Sequence, residues 1–191
     1  MSLLLNNIPD ASEMASYVVE NLLQGYGVVA REIGPYRDNV RFDVLGIKRH
    51  TREIRIFEIK SCRSDFTSDN KWQKYLPYCT HFAFVAPKGV ILPEELPEEI
   101  GLVEIWNEEK KSWRNETYLE LDHVYTRKCK RLRDKPDDKH YIELLEAIVM
   151  RLLTENNDFK FRNFARFMDE IRKVQGQVGD VAMMLRKGIK P

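Results

Sequence analysis

An α/β fold with a mixed central sheet, extended at its C-terminal end by helices, is predicted by three features of the sequence. Three runs rich in Val, Ile and Phe follow an amphipathic helix, a second helix of crossover length comes next, and a short apolar strand follows that. The order is helix, three strands, helix, strand, or αβββαβ.

The first helix spans 11 to 24. Met14, Tyr17, Val18 and Leu22 fall on one of its faces after Pro9 and Asp10, and Gly25 is a natural stop. The runs 27 to 33 (GVVAREI), 40 to 47 (VRFDVLGI) and 52 to 60 (REIRIFEIK) are joined by the turn-like links GPYRDN and KRHT, which predicts three consecutive antiparallel strands. Ser64, Thr67 or Ser68 caps a helix running to about Leu76, where Pro77 stops it, and HFAFVA (81 to 86) is a short apolar strand. A helical crossover returns the chain parallel to the preceding strand, so the sheet is mixed.

Beyond Pro87, ILPEELPEEI is a proline-broken acidic excursion. A hairpin of GLVEIW and SWRNETYLEL around the polar turn NEEKK then extends an edge of the sheet. The composition changes at 127, where RKCKRLRDK holds six basic residues against one acidic, and a boundary falls near 134 to 137. Residues 1–126 are read as the domain carrying the chemistry, and 127–191 as a basic linker and C-terminal helical region. Tyr141, Leu144, Leu145, Ile148 and Leu152 recur at helical spacing, as do Phe164, Phe167, Met168, Ile171 and Val174.

Composition excludes several classes. At 191 residues, 43% hydrophobic and 32% charged, the chain is a folded protein rather than a disordered one. Its formal charge of +1 confines any nucleic-acid footprint to a local patch, such as 127 to 135. Cys62, Cys79 and Cys129 show neither zinc spacing nor the density of a disulfide scaffold, which fits a reducing cytoplasm. The start MSLLLNNIPD has no basic n-region and no segment reaches membrane-spanning length, so no membrane association is expected. His50, His81, His123 and His140 have no metal spacing or nucleophile partner.

The chemistry concentrates in strands two and three. Side chains at i and i+2 share a strand face, so Glu58 and Lys60 point the same way, and hairpin pairing brings Asp43 alongside. Hard cations such as Mg²⁺ take oxygen ligands while retaining waters, so Asp43, Glu58 and the Ile59 carbonyl suit Mg²⁺ or Mn²⁺. Such an ion acidifies water and offsets transition-state charge, and Lys60 positions the attacking water or stabilises the negative oxygen. A random Glu-x-Lys in a strand is ordinarily a solvated charge pair. Here Ile54 and Ile56 line one face and Phe57 and Ile59 the other, so the ionisable groups sit in an apolar strand and need partners or a purpose.

RFDVLG, followed fifteen residues after its aspartate by FEIKS, resembles the Asp and Glu-x-Lys signature of the PD-(D/E)xK nuclease superfamily. Within it, FEIKSCRSDFTSDNKWQKYLPYCTHFAFVAPKG is most similar to the MmcB-like DNA-repair proteins and their phage relatives, over roughly residues 11 to 105. The resemblance implies a restriction-endonuclease-like fold, a divalent metal on Asp43 and Glu58, and a catalytic lysine at Lys60. Phe42 stands where the motif's name has proline, a position that supplies no ligand. The superfamily often carries a glutamate on the first helix, and both Glu13 and Glu20 are available. Asp10-x-x-Glu13 is also a capping-box pattern, and Glu20 also reads as a solvated residue.

Ser61 and Asp65 are candidates for the surroundings of the metal, and Asp65 or Asp69 also suits a helix N-terminus. Lys71 is a candidate phosphate contact, whereas Trp72 and Tyr75 read as packing on the sheet. Arg127, Lys128, Lys130, Arg131 and Arg133 have few acidic sequence neighbours and are candidates for DNA contact. The expectation is a metal-dependent DNA nuclease in repair, recombination or phage biology. The alternative is a DNA-binding repair accessory that keeps the fold without cutting. An enzyme that cuts both strands often needs two active sites, which makes a homodimer one candidate assembly, although no pattern fixes an interface.

Overall fold

The computed structural model describes residues 8–35, 39–48 and 50–155. Among the described residues six strands form one sheet in the order β1-β2-β3-β4-β5-β6: Val28–Ile33, Phe42–Ile47, Ile54–Ile59, His81–Pro87, Gly101–Lys111 and Thr117–Arg127. Strands β1 to β3 pair antiparallel, β3 to β5 pair parallel, and β6 returns antiparallel to β5. The mixed sheet predicted from the crossover is therefore present, with the hairpin on its β4 side.

Helix α1 (Ala11–Tyr17) starts at a capping box. Asp10 accepts the Glu13 N–H at 2.8 Å, and Glu13 accepts the Asp10 N–H at 2.8 Å. It runs on into a π-helical turn, Val18–Leu22, and Gly25 ends it with φ of 81°. Met14, Ala15 and Val18 pack on Val44, Phe57, Ile59, Ala83, Val85, Val103 and Ile105, all buried. Gly46 makes this approach feasible, because a Cβ there would lie 2.5 Å from Leu23 Cδ2.

The crossover differs from the single helix predicted over 64 to 76. Helix α2 (Arg63–Ser68) stops at Asp69, whose ψ of 111° is extended, and a separate 3-10 segment, Trp72–Tyr78, carries Pro77 inside it. Ser68, Asp69 and Asn70 all compete for backbone hydrogen bonds, and Asp69 Oδ1 accepts the Lys71 N–H at 2.7 Å. Trp72 stacks on Phe82 with centroids 5.7 Å apart, and Tyr75 meets Phe42 edge-on at 5.3 Å. The packing roles read for Trp72 and Tyr75 thus hold.

The β5–β6 hairpin turns later than predicted. NEEKK continues β5, and the turn is Ser112–Glu116, with Asn115 in the left-handed region at φ of 64° and the Ser112 N–H on the Glu116 carbonyl at 2.9 Å. Continuous pairing from Lys111 opposite Thr117 to Val103 opposite Tyr125 outweighs the polarity of residues 107 to 111.

The chain divides into two compact units, Met1–Leu144 and Leu145–Pro191. In the first, the basic segment is pinned by backbone bonds from the Lys130 N–H to the Glu99 carbonyl and from the Leu132 N–H to the Thr80 carbonyl. Helix α3 (Asp138–Glu155) begins where Asp137 accepts the His140 N–H at 2.9 Å, and Tyr78 donates to Glu143 at 3.1 Å. Of the second unit, residues 145–155 are described, as the continuation of α3. The expected stripe Phe164, Phe167, Met168, Ile171 and Val174 lies outside the described residues. Among the described residues no helix is long and apolar enough to cross a membrane.

Candidate metal centre

Buried polar residues are few, and two of them meet. Among the described residues only Glu58, Lys60 and Thr80 are polar and buried. Thr80 is satisfied by the backbone of Ile54, accepting its N–H at 3.0 Å and donating to its carbonyl at 2.8 Å. Glu58 and Lys60 instead meet each other, Nζ to Oε1, at 2.9 Å at the C-terminal end of β3. Taking such a pair out of water is costly unless the remaining lone pairs and protons are used.

Asp43 completes the trio predicted from the sequence. The β2–β3 register, Val44 opposite Phe57, sets Asp43 across from Glu58, and Asp43 Oδ2 accepts the Ile59 N–H at 2.7 Å. That bond fixes the carboxylate where β2 enters the sheet. Asp43, Glu58, Ile59 and Lys60 line one side of a cleft of about 420 Å³, with Ser12 and Ala15 of α1, Arg31 and Glu32 of β1, and Asp65 around them.

Electrostatics sort the group. Burial pushes the Glu58 carboxyl up to about 8, helped by the charge of Asp43 and opposed by Lys60. Burial also raises Asp43, against the pull of the Ile59 N–H, with Glu32 adding to the rise. Burial alone would lower Lys60, but its hydrogen bond to Asp69 and the charge of Glu58 outweigh that and hold it as an ammonium. Asp69 Oδ2 lies 2.7 Å from Lys60 Nζ, and this ion pair with the Lys71 N–H keeps Asp69 below its ordinary range despite burial.

The donor set fits a hard divalent cation. Glu58 Oε2 is buried and has no hydrogen-bond partner, which is costly for a carboxylate unless a cation or solvent meets it. Among the described residues no group of three or more His, Cys, Asp and Glu gathers to hold a metal. The fit is therefore to an ion content with two carboxylates, a backbone carbonyl and retained waters, the habit of Mg²⁺.

Of the remaining candidates Asp65 borders the cleft, and the others lie outside its lining. Glu13 is committed to the capping box, and Glu13 and Glu20 border a different depression, with Ser16, Tyr17 and Leu121. The acidic residue on the cleft from the N-terminal side is Glu32, at φ of 51° in β1. No sequence pattern flags it. Asp65 steadies the turn leaving β3 by accepting the Ser61 N–H at 3.3 Å, and its other oxygen is 4.0 Å from Lys60. Ser61 and Lys71 are exposed.

In the basic segment the structure supplies partners for three of the cations, two of them from the 93–98 region. The Arg127 guanidinium donates to the carbonyls of Leu96 (2.9 Å), Pro97 (3.0 Å) and Pro93, so it fastens the acidic excursion to β6. Lys130 pairs with Glu98 at 2.9 Å and Arg131 with Asp134 at 3.6 Å. Of the few acidic neighbours expected, Asp134 pairs with Arg131, and the fold adds Glu98 for Lys130. Arg133 Nε is buried without a hydrogen-bond partner. Lys128 is exposed at the end of β6.

Residues 18–118, more than half of the 191-residue chain, match the family described as DNA repair protein MmcB-like. The matched stretch contains Asp43, Glu58, Lys60 and Asp69 and leaves out Glu13 and the segment from 127 onward. A solved structure of a protein of unknown function from Silicibacter pomeroyi is similar in fold, with a TM-score of 0.54 and 24% identity. That likeness covers 81% of this chain and 100% of that one. No curated protein matches.

Proposed function

We propose, from the premise that this chain belongs to the MmcB-like family of DNA repair proteins, that it hydrolyses phosphodiester bonds of DNA with a divalent metal. The observation that carries the proposal is the buried Glu58–Lys60 pair, with Glu58 Oε2 unpartnered and Asp43 beside it, at the wall of an open cleft. Glu58 Oε2, without a hydrogen-bond partner, keeps lone pairs open to a cation from the cleft. The αβββαβ order and the Asp and Glu-x-Lys placement support assignment to the PD-(D/E)xK nucleases.

Each residue then has a chemical task. Asp43, Glu58 and the Ile59 carbonyl would hold Mg²⁺ or Mn²⁺. When bound, that ion supplies Lewis-acid charge to the scissile phosphate and lowers the pKa of water. Asp43 is oriented by the Ile59 N–H, so its position costs no rearrangement when substrate arrives. Lys60 presents fixed positive charge where negative charge develops on the phosphoryl oxygens. Held by two carboxylates, it orients water or phosphate as a donor and does not serve as a base.

The test is cleavage of labelled single-stranded, duplex, flap and junction DNAs with Mg²⁺, Mn²⁺ or EDTA. Wild type is compared with Asp43→Ala and Lys60→Ala. Metal-dependent cutting lost in both variants is the expected result. DNA binding without cutting by wild type overturns it in favour of a repair accessory that retains the fold.

A further inference from the structure

Helix α2 ends where Asp69 turns inward. Asp69 leaves the helix in an extended conformation and divides its carboxylate, Oδ1 on the Lys71 N–H and Oδ2 at 2.7 Å from Lys60 Nζ. Its side chain is 8% exposed and that of Lys60 6%. Lys60 is therefore bracketed by two carboxylates, Glu58 at 2.9 Å and Asp69 at 2.7 Å. They differ in place: Glu58 lines the cleft with Asp43, whereas Asp69 meets Lys60 without belonging to that lining.

The duplication answers a conflict. A cation at Glu58 competes with the Lys60 ammonium for the same carboxylate, and an ammonium released from its only partner would swing away or be repelled by the incoming charge. We propose that Asp69 is the positioning residue for Lys60, holding the ammonium at the cleft wall once Glu58 commits its charge to a divalent cation. This rests on the metal-dependent phosphodiesterase reading of the cleft. It assigns the break in the crossover helix a purpose, since a continuous helix would not turn Asp69 toward Lys60.

The deciding measurement is the Lys60 ammonium itself, observed by ¹H–¹⁵N correlation in ¹⁵N-lysine-labelled protein. Wild type, Glu58→Gln, Asp69→Asn and the double variant are compared with and without Mg²⁺. Glu58→Gln imitates a glutamate whose charge is engaged, so two arms decide the matter without any metal. Asn at 69 keeps an acceptor for the Lys71 N–H, which separates loss of charge from loss of the turn.

In wild type and Glu58→Gln the Lys60 protons are expected to exchange slowly. In the double variant, and in Asp69→Asn with Mg²⁺, exchange is expected to accelerate about tenfold or more, the scale of losing a charged hydrogen bond. Equal protection in Glu58→Gln and the double variant overturns the proposal, as does unprotected Lys60 in wild type. Mg²⁺ that leaves the ¹⁵N-labelled Lys60 backbone amide, next to the Ile59 carbonyl, unmoved counts against the metal reading alone, because the metal-free arms still report on Asp69. Where wild type cuts DNA, Asp69→Asn is expected to lower kcat with Mg²⁺ affinity unchanged.

Discussion

The carboxylate of Asp43 on β2 accepts the backbone N–H of Ile59 on β3 at 2.7 Å, so one residue both completes the sheet's hydrogen bonding and faces the cleft. Two substitutions separate these roles. Asp43→Ala orphans the Ile59 N–H and is expected to cost about 1–3 kcal/mol of stability. Asp43→Asn keeps an acceptor and is expected to stay near wild-type stability. On the proposed metal reading Mg²⁺ is expected to raise the wild-type Tm and both substitutions to abolish that rise, because a ligand stabilises only the state that binds it. Thermal melts across a Mg²⁺ series check this, and a full Mg²⁺ shift in Asp43→Asn would remove Asp43 from the ligand set.

Lys60 predicts a specific pattern of destabilisation. Lys60→Met leaves two acids behind, but Glu58, pushed up to about 8 even with the lysine present, can take a proton at neutral pH. Asp69 is the uncompensated charge, since its low pKa depends on Lys60. Removing one partner of a buried pair costs about 3–5 kcal/mol, and adding Asp69→Asn is expected to recover part of that loss. Urea denaturation of the single and double variants measures the coupling, and strictly additive losses would contradict it.

Glu58 sets a pH dependence. Between its ordinary value of 4.5 and about 8, the native protein holds a proton that the unfolded chain has released. The native state binds more protons there, so metal-free stability falls as pH rises through that window and levels off above it. On the proposed metal reading Mg²⁺ competes with the proton, so its affinity is expected to rise with pH over the same window. Glu58→Gln is expected to flatten both trends. Denaturant midpoints and Mg²⁺ titrations from pH 5 to 9, taken as the wild-type difference from Glu58→Gln, remove the histidine contribution, and identical slopes would refute the assignment.

The trio was legible because it combines strand alternation, hairpin register and a motif on neighbouring strands, all local properties. Glu13 was legible as a cap for the same reason: Asp10 and Glu13 are three apart. Asp69 was not, because its partner lies nine residues earlier on the far side of helix α2, although the run Ser68-Asp69-Asn70 signals the break that follows that helix. Glu32 depends on a left-handed residue within a strand, which no periodicity announces. The hairpin turns later than the polarity of NEEKK suggests because strand pairing outweighs it, and both strands of the hairpin tolerate polar residues on a solvated face.

The basic segment separates structural from electrostatic cations. Arg127 satisfies three carbonyls of the 93–97 region, so Arg127→Ala is expected to destabilise the fold by about 1–3 kcal/mol through those orphaned acceptors. Lys128 is exposed and Lys130 is shared with Glu98, so Lys128→Ala is expected to leave stability within about 0.5 kcal/mol of wild type. If this segment meets the phosphate backbone, Lys128→Ala lowers the slope of log affinity against log salt by about one contact's worth, close to 0.9 on duplex and 0.7 on single strands. Salt titrations of DNA binding test it: an unchanged slope excludes Lys128 from the interface. Arg127→Ala measured below its melting transition should leave the slope intact, because a guanidinium spent on carbonyls releases no phosphate counterion.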